Sequence, residues 1–371
     1  MYVFKPIDLE KADFAAFAEK YGFGGNVVLK YVIFSLIRDE NIFSLSCEKG
    51  LMKKESSLFK LASRDIKEIL DEYELFQCDK IFYKYEPLKP CESDIFDKLS
   101  FSDAEELTEK LCKFYEKRGC GELALYRGFK LDIKGNVVPV GHFDPIELKS
   151  LFCYKYQIET LKENTLAFMK GKPSANALLT GARGTGKSSS VKALVNMYWK
   201  DGLRLIEVSK DRLHYMPEIM PKLSERGFKF IVFIDDLSFE AEETSYKYLK
   251  SVLEGSAEAK PSNVIFYATS NRRHLIAEKW DDRGDMSQKG EIHTQDQLNE
   301  KVSLSDRFGL KLSFLRPTPK EYAEIVKGIA AEKGIEATEE FLKEANAYEL
   351  GFGGRSGRAA RHFVESKLCG G

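Results

Sequence analysis

The chain has 371 residues, enough for two or three domains and a substantial hydrophobic core. Charged residues make up 31% and hydrophobic ones 43%, the balance of an ordinary soluble globular protein. With 57 basic and 58 acidic residues the net charge is -1, which excludes a global field for nucleic acid or anionic membrane and leaves only local basic faces.

The first residues, M-Y-V-F-K-P-I-D-L-E-K, lack the basic then apolar order of a signal peptide. The most apolar stretch, Val27 to Ile37, is interrupted by Lys30 and too short to span a bilayer, so it is expected as a core helix. The seven cysteines are scattered and never form C-x-x-C, which indicates neither a disulfide framework nor a zinc site. Free thiols and no membrane segment give the expectation of a cytoplasmic protein. His214 and His293 are expected as surface or packing residues rather than metal ligands.

In chain order, apolar spacing predicts helices over Leu9 to Tyr21, Val27 to Arg38 and Ser57 to Phe76. Ser102 followed by Glu105 predicts a capping box for a fourth helix ending at Arg118-Gly119. The period then changes. Leu123 to Leu131 and Val137 to Val140 are β-prone, with Lys134-Gly135-Asn136 as the turn of a hairpin. Residues 1–145 are thus expected to form a mostly helical domain closing with that hairpin, and Asp144-Pro145 marks a boundary.

A helix from Lys155 to Met169 leads to the most informative stretch, Gly181-Ala182-Arg183-Gly184-Thr185-Gly186-Lys187-Ser188. It lies between an apolar strand, Asn176 to Thr180, and a helix running on from Ser189 to Tyr198. This strand, Gly-rich loop and helix arrangement is the one that binds the phosphates of a nucleoside triphosphate. Glycines let successive backbone N–H groups turn toward phosphate oxygens, and the helix start adds its positive dipole end. Residues 181–189 are therefore the expected ATP-binding loop, with Lys187 reaching the β- and γ-phosphates and the Ser188 hydroxyl ligating Mg²⁺.

Further strands are predicted over Leu203 to Val208, Phe228 to Ile234, Asn263 to Ala268 and Lys311 to Leu315. Near-continuous apolar character in F-K-F-I-V-F-I suits a parallel strand covered on both faces. It ends in Asp235-Asp236, at the carboxyl end where open α/β sheets bind ligands. Asp235 is assigned to Mg²⁺ through water and Asp236 to polarising the attacking water as general base; the alternative is an acidic helix cap. Asn271 follows the fourth strand, where a neutral side chain can hold the lytic water, or simply make a turn. Residues 281–299 read as a long polar loop, and a helical tail begins near Pro319.

With these runs in view, the chain from about Leu151 to Phe363 resembles the AAA+ ATPases. The motif order is G-A-R-G-T-G-K-S, F-I-V-F-I-D-D, A-T-S-N, S-D-R-F-G and G-R-A-A-R. The whole chain is similar, more narrowly, to a bacterial AAA+ family catalogued only as a domain of unknown function. The resemblance implies a five-stranded parallel α/β core over 146–316 and a C-terminal helical lid over 317–371. It also implies that Asn271 is a first sensor and that Arg307 is an arginine finger acting on the neighbouring subunit. Arg358 is implied as a second sensor, with Arg355 and Arg361 competing for that role; for Arg307 the alternative is a surface ion pair.

The expected activity is a Mg²⁺-dependent ATPase, in the form of a homo-oligomer, coupling hydrolysis to remodelling or loading of a protein or nucleic-acid-associated partner. Asp235-Asp236 in place of the commoner Asp-Glu keeps open a slowly hydrolysing switch or loader scaffold. A threading unfoldase is disfavoured, because S-K-D-R-L-H-Y-M after the second strand of the core lacks a pore glycine. The sensor and finger runs disfavour a small-molecule kinase. Arg272-Arg273 and the tail arginines form a candidate DNA patch, explained equally by phosphate contacts and ion pairs.

Overall fold

A computed structural model describes residues 2–89, 96, 100–238, 245–254, 261–271 and 304–369. The chain divides into two compact units: residues 1–126 with 200–202 and 226–228, and the remainder.

The first unit is helical. Its main helices are α1 (Phe14–Tyr21), α2 (Val27–Arg38), α3 (Ile42–Glu48), α4 (Ser57–Leu75), α5 (Ala104–Arg118) and the short α6 (Glu122–Leu125). The start of α1 is later than apolar spacing predicts, because the Asp13 side chain accepts from Ala16 N and fixes the first turn there. α2 keeps its predicted bounds: Asn26 caps it and seven of its residues are buried. The fourth predicted helix begins one residue late. Asp103 rather than Ser102 caps α5, and Ser102 Oγ donates instead to Glu106 at 2.7 Å. α3 has no counterpart in the sequence reading; seven residues are too few for a clear period, and its start is set by the Asn41 capping box. The core is rich in aromatic rings, with Phe14, Phe17, Phe23, Phe34, Phe43 and Tyr115 all buried.

A buried ion pair also belongs to this unit. Glu48 is 1% exposed at its side chain and accepts from Arg226 at 2.8 Å, while Gly227 N donates to its other oxygen at 2.9 Å.

The second unit is built on a seven-stranded sheet. Its strands are β1 (Gly128–Leu131), β2 (Val137–Pro139), β3 (Ala177–Gly181), β4 (Leu203–Glu207), β5 (Lys229–Ile234), β6 (Val264–Ser270) and β7 (Leu310–Phe314). They lie in the order β2-β1-β4-β5-β6-β3-β7. All neighbours are parallel except β1 and β2. The five expected strands are therefore joined by two more, which corrects the strand count. The hairpin expected to close the helical domain extends this sheet instead, Phe129 pairing with Ile206 in parallel register. Alternation along a short hairpin reveals its two faces but not which strand edge receives it. The part of it read as strand over Leu123 to Leu125 is helix α6.

β5 and β6 are the central strands. β6 is buried at all seven positions and β5 at its last five, as parallel strands covered on both faces require. Helices α7 (Lys155–Met169), α8 (Lys187–Tyr198), α9 (Met216–Ser224) and α10 (Ser245–Glu254) accompany the sheet. The C-terminal part consists of α11 (Pro319–Glu332), α12 (Glu339–Gly351) and α13 (Gly357–Cys369). It has its own small core around Tyr322, Ile325, Val326, Ala360 and Phe363. No helix among the described residues is long and apolar enough to cross a membrane.

Candidate active site

β3 ends at Gly181 and α8 begins at Lys187, so the Gly-rich loop spans the gap between an interior strand and a helix N-terminus. Gly186 caps the helix in a left-handed conformation, without any side-chain cap. Gly184 also has a positive φ of 74°, and a Cβ there would lie 3.0 Å from Arg358 Cβ and 3.1 Å from Ser356 Oγ. Its lack of a side chain thus lets the start of α13 approach the loop, where Arg358 N donates to Gly184 O at 3.3 Å. Thr185, itself buried, closes the loop on itself by donating to Ala182 O at 2.8 Å.

Lys187 is buried beneath the loop. Its ammonium donates to Gly181 O at 2.9 Å, Ala182 O at 2.8 Å and Asn271 Oδ1 at 2.9 Å. Burial pushes its pKa below the ordinary lysine value, and the charges of Asp235 and Asp236 only partly oppose this.

The carboxylates stand where β5 ends. Ser188 Oγ donates to Asp235 Oδ1 at 2.6 Å, and Thr269 Oγ1 donates to the same oxygen at 2.5 Å. Thr269 Oγ1 also accepts from Asp236 N at 2.9 Å, so one buried hydroxyl positions both acids. Asp236 has a φ of 52°, in the left-handed region that non-glycine residues rarely adopt. That turn presents its carboxylate to Asn271 Nδ2, which donates to Oδ1 at 2.6 Å. Arg183 lies 3.8 Å from the other oxygen.

Lys187, Ser188, Asp235, Asp236 and Asn271 are thus joined in one network, and all five line a cavity of about 480 Å³ with Arg183, Gly184, Thr185, Gly186 and Ser189. The rest of the cavity wall is partly apolar: Ile146, Leu151, Phe152, Tyr154 and Ile158 come from the segment ahead of β3, and Ile325 and Ile329 from α11. Arg358 and Arg361 of α13 also line it. Arg355 does not; its Nε donates to Pro317 O at 3.0 Å, and it is 3.9 Å from Glu349.

Arg307 is not brought to this cavity. It is exposed and precedes β7, whose first residue, Leu310, pairs with Ala177, the first residue of β3. It therefore lies toward the amino ends of the strands, while the Gly-rich loop leaves their carboxyl ends. Arg272-Arg273 and the predicted loop over 281–299 lie outside the described residues, as does His293.

Sequence reasoning missed Thr269, although it stands in the A-T-S-N run as the polar residue that ends an apolar strand. It also missed the apolar wall. The segment around Cys153 and Tyr154, both with positive φ, carries no periodic pattern that points to a ligand.

Residues 124–370 match the family described as "Protein of unknown function (DUF815)". The chain belongs to that family. As the motifs led one to expect, it is a family catalogued only as of unknown function. No curated protein matches the chain. Among solved structures, Thermotoga maritima RuvB, titled a Holliday junction branch migration motor, aligns at 17% identity with a TM-score of 0.39. An arginine-to-alanine variant of the same protein aligns at 18% identity with a TM-score of 0.41. Each alignment covers 59% of this chain and 63% of the RuvB chain, so the likeness spans less than two thirds of those structures.

Proposed function

We propose that this DUF815 member is a Mg²⁺-dependent ATPase that hydrolyses ATP to ADP and phosphate. The observation that carries the reading is the single network linking Lys187, Ser188, Asp235, Asp236 and Asn271 at the rim of one cavity. The donor set suits the ligand. Backbone N–H groups at a helix start and a buried ammonium are complementary to phosphate, and a hydroxyl paired with a carboxylate offers the oxygen ligands Mg²⁺ prefers. Ser188 and Asp235 would hold the ion, which neutralises charge on the phosphates during transfer. The apolar wall of Ile146, Ile158, Ile325 and Ile329 offers the base a dry surface.

In this reading residues 181–189 hold the phosphates and Lys187 neutralises their charge. Asp236 accepts the proton of the attacking water, oriented by Asn271. Arg358 approaches the phosphates from α13, with Arg361 as the competing arginine; Arg355, turned toward Pro317, is the weaker candidate. Arg307, remote from its own cavity, acts on the site of a neighbouring copy, so turnover requires a homo-oligomer.

Residues 146–316, together with the hairpin that extends their sheet, then act as the ATPase core and 317–371 as its lid, while the helical unit ending at Tyr126 acts as the adaptor that selects a macromolecular partner for remodelling or loading. Cys47, Cys78, Cys112, Cys120 and Cys153 are free thiols, as a cytoplasmic setting keeps them. A second reading, a slowly hydrolysing switch, is favoured by the engagement of the short Asp236 carboxylate with Asn271 at 2.6 Å.

The test is ATP binding and phosphate release by the purified full chain and by Lys187→Ala. Mg²⁺-dependent binding and turnover, both lost in the variant, support the ATPase. Binding with negligible turnover favours the switch, and binding indifferent to Lys187 removes both.

A further inference from the structure

A second cavity, of about 810 Å³, lies against the Gly-rich loop, lined by residues 181–184 and Asn271, by Leu315 and Arg316 beyond β7, and by residues 352–356 and Arg358. Four of the lining residues are arginines, Arg183, Arg316, Arg355 and Arg358, and none carries a carboxylate. We infer that this cavity is an anion site that receives inorganic phosphate released at the adjoining nucleotide site; the inference rests on the ATPase reading.

The charges are poorly balanced where they stand. Arg183 and Arg355 have carboxylates only at 3.8 and 3.9 Å, Asp236 and Glu349 respectively. Among the described residues, Arg316 and Arg358 have no carboxylate within ion-pair distance. Four guanidinium groups around one cavity repel one another, and a multivalent oxyanion converts that repulsion into attraction. The planar guanidinium fork suits two phosphate oxygens at once.

The backbone makes room for this arrangement. Gly354 has a φ of 106°, and a Cβ there would fall 2.5 Å from Arg316 Nη1, so a side chain would displace that guanidinium.

The location connects the cavity to the proposed chemistry. Arg183, Gly184, Asn271 and Arg358 line both cavities. Hydrolysis breaks the bond between the β,γ-bridging oxygen and the γ-phosphorus as water oxygen bonds to that phosphorus, leaving ADP and phosphate. The phosphate formed beside Lys187 and Asn271 then has arginines on the far side of the shared wall.

The experiment is an equilibrium titration of the ADP-saturated full chain with radiolabelled inorganic phosphate, comparing wild type with Arg316→Gln and Arg316→Lys. The expected result is at least a tenfold loss of phosphate affinity in Arg316→Gln, a smaller loss in Arg316→Lys, and unchanged ADP affinity and thermal melting. Equal phosphate affinity in wild type and Arg316→Gln would overturn the site. So would a short single-stranded oligonucleotide displacing phosphate at lower concentration than phosphate itself, which would assign the arginines to a nucleic-acid backbone. Failure to bind ADP would defeat the ATPase reading. Titrating Lys187→Ala and its Arg316→Gln double variant then still decides on the phosphate site.

Discussion

Ser188 at the start of α8 donates to Asp235 at the end of β5 across 2.6 Å, joining two residues that stand 47 positions apart in the chain. The same Asp235 oxygen accepts from Thr269, so its position is set by two hydroxyls from two different elements. Such double support fixes a carboxylate well enough to share a metal ion with a neighbouring hydroxyl. Thr269→Val, which keeps the shape and removes the hydroxyl, is therefore expected to weaken Mg²⁺-dependent ATP binding about 10- to 100-fold. Titration of Mg²⁺ at fixed ATP measures this, and an unchanged half-saturation would show that Thr269 positions nothing.

Asp236→Asn removes the proposed proton acceptor while preserving size. Turnover should fall about 10²- to 10⁴-fold, as for loss of a general base, with ATP affinity retained. Single-turnover phosphate release separates the two effects; a variant that binds ATP poorly but turns over normally would reassign Asp236 to binding.

The buried Lys187 ammonium gives a pH signature. Its pKa lies below the usual lysine value in the free protein because burial disfavours its charge. A phosphate beside it raises that pKa, so between the free and bound values binding takes up a proton, and affinity falls as pH rises through that window. Calorimetry at alkaline pH in buffers of different ionisation enthalpy reads the uptake. Release or no exchange of protons would contradict a contact between Lys187 and phosphate.

In the helical unit, burial favours the neutral form of Glu48, but hydrogen bonds and charge from Arg226 outweigh it and bring the pKa below the ordinary 4.5. A carboxyl with a depressed folded-state pKa contributes stability above its unfolded value and loses it as pH falls toward the folded one. Thermal melting should therefore weaken below about pH 4.5. Glu48→Gln should cost up to about 3 to 5 kcal/mol at neutral pH by taking from the buried Arg226 its buried carboxylate and leaving it the exposed Glu40 at 2.9 Å as ion-pair partner. Melts of both proteins from pH 3 to 7 check this, and coincident curves would show that the pair contributes nothing.

Much of the site was readable in the sequence because its parts are local. The loop from Gly181 to Ser188 is contiguous, and the acids follow an unbroken apolar strand whose burial leaves its carboxyl end as the place for polar groups. Features formed by distant segments were not readable. Glu48 and Arg226 stand 178 residues apart, and neither neighbourhood marks the other as its partner. The docking of β1 beside β4 depends on which sheet edge is open, a property of the assembled sheet rather than of the hairpin. Arg358 and Arg361 share one helix face, so spacing alone could not separate them; both reach the cavity. Arg355, before the helix, is drawn away by Pro317.

Mixing two inactive variants tests the proposed sharing of the ATPase site between neighbouring copies most directly. Arg307→Ala keeps an intact cavity but supplies no finger, whereas Asp236→Asn supplies a finger but has an inactive cavity. Steady-state hydrolysis should rise cooperatively with wild-type concentration, be low for each variant alone, and recover in the mixture, where Asp236→Asn lends Arg307 to an intact neighbouring site. Full activity of Arg307→Ala alone, or no recovery on mixing at concentrations where the wild type is active, would contradict the account.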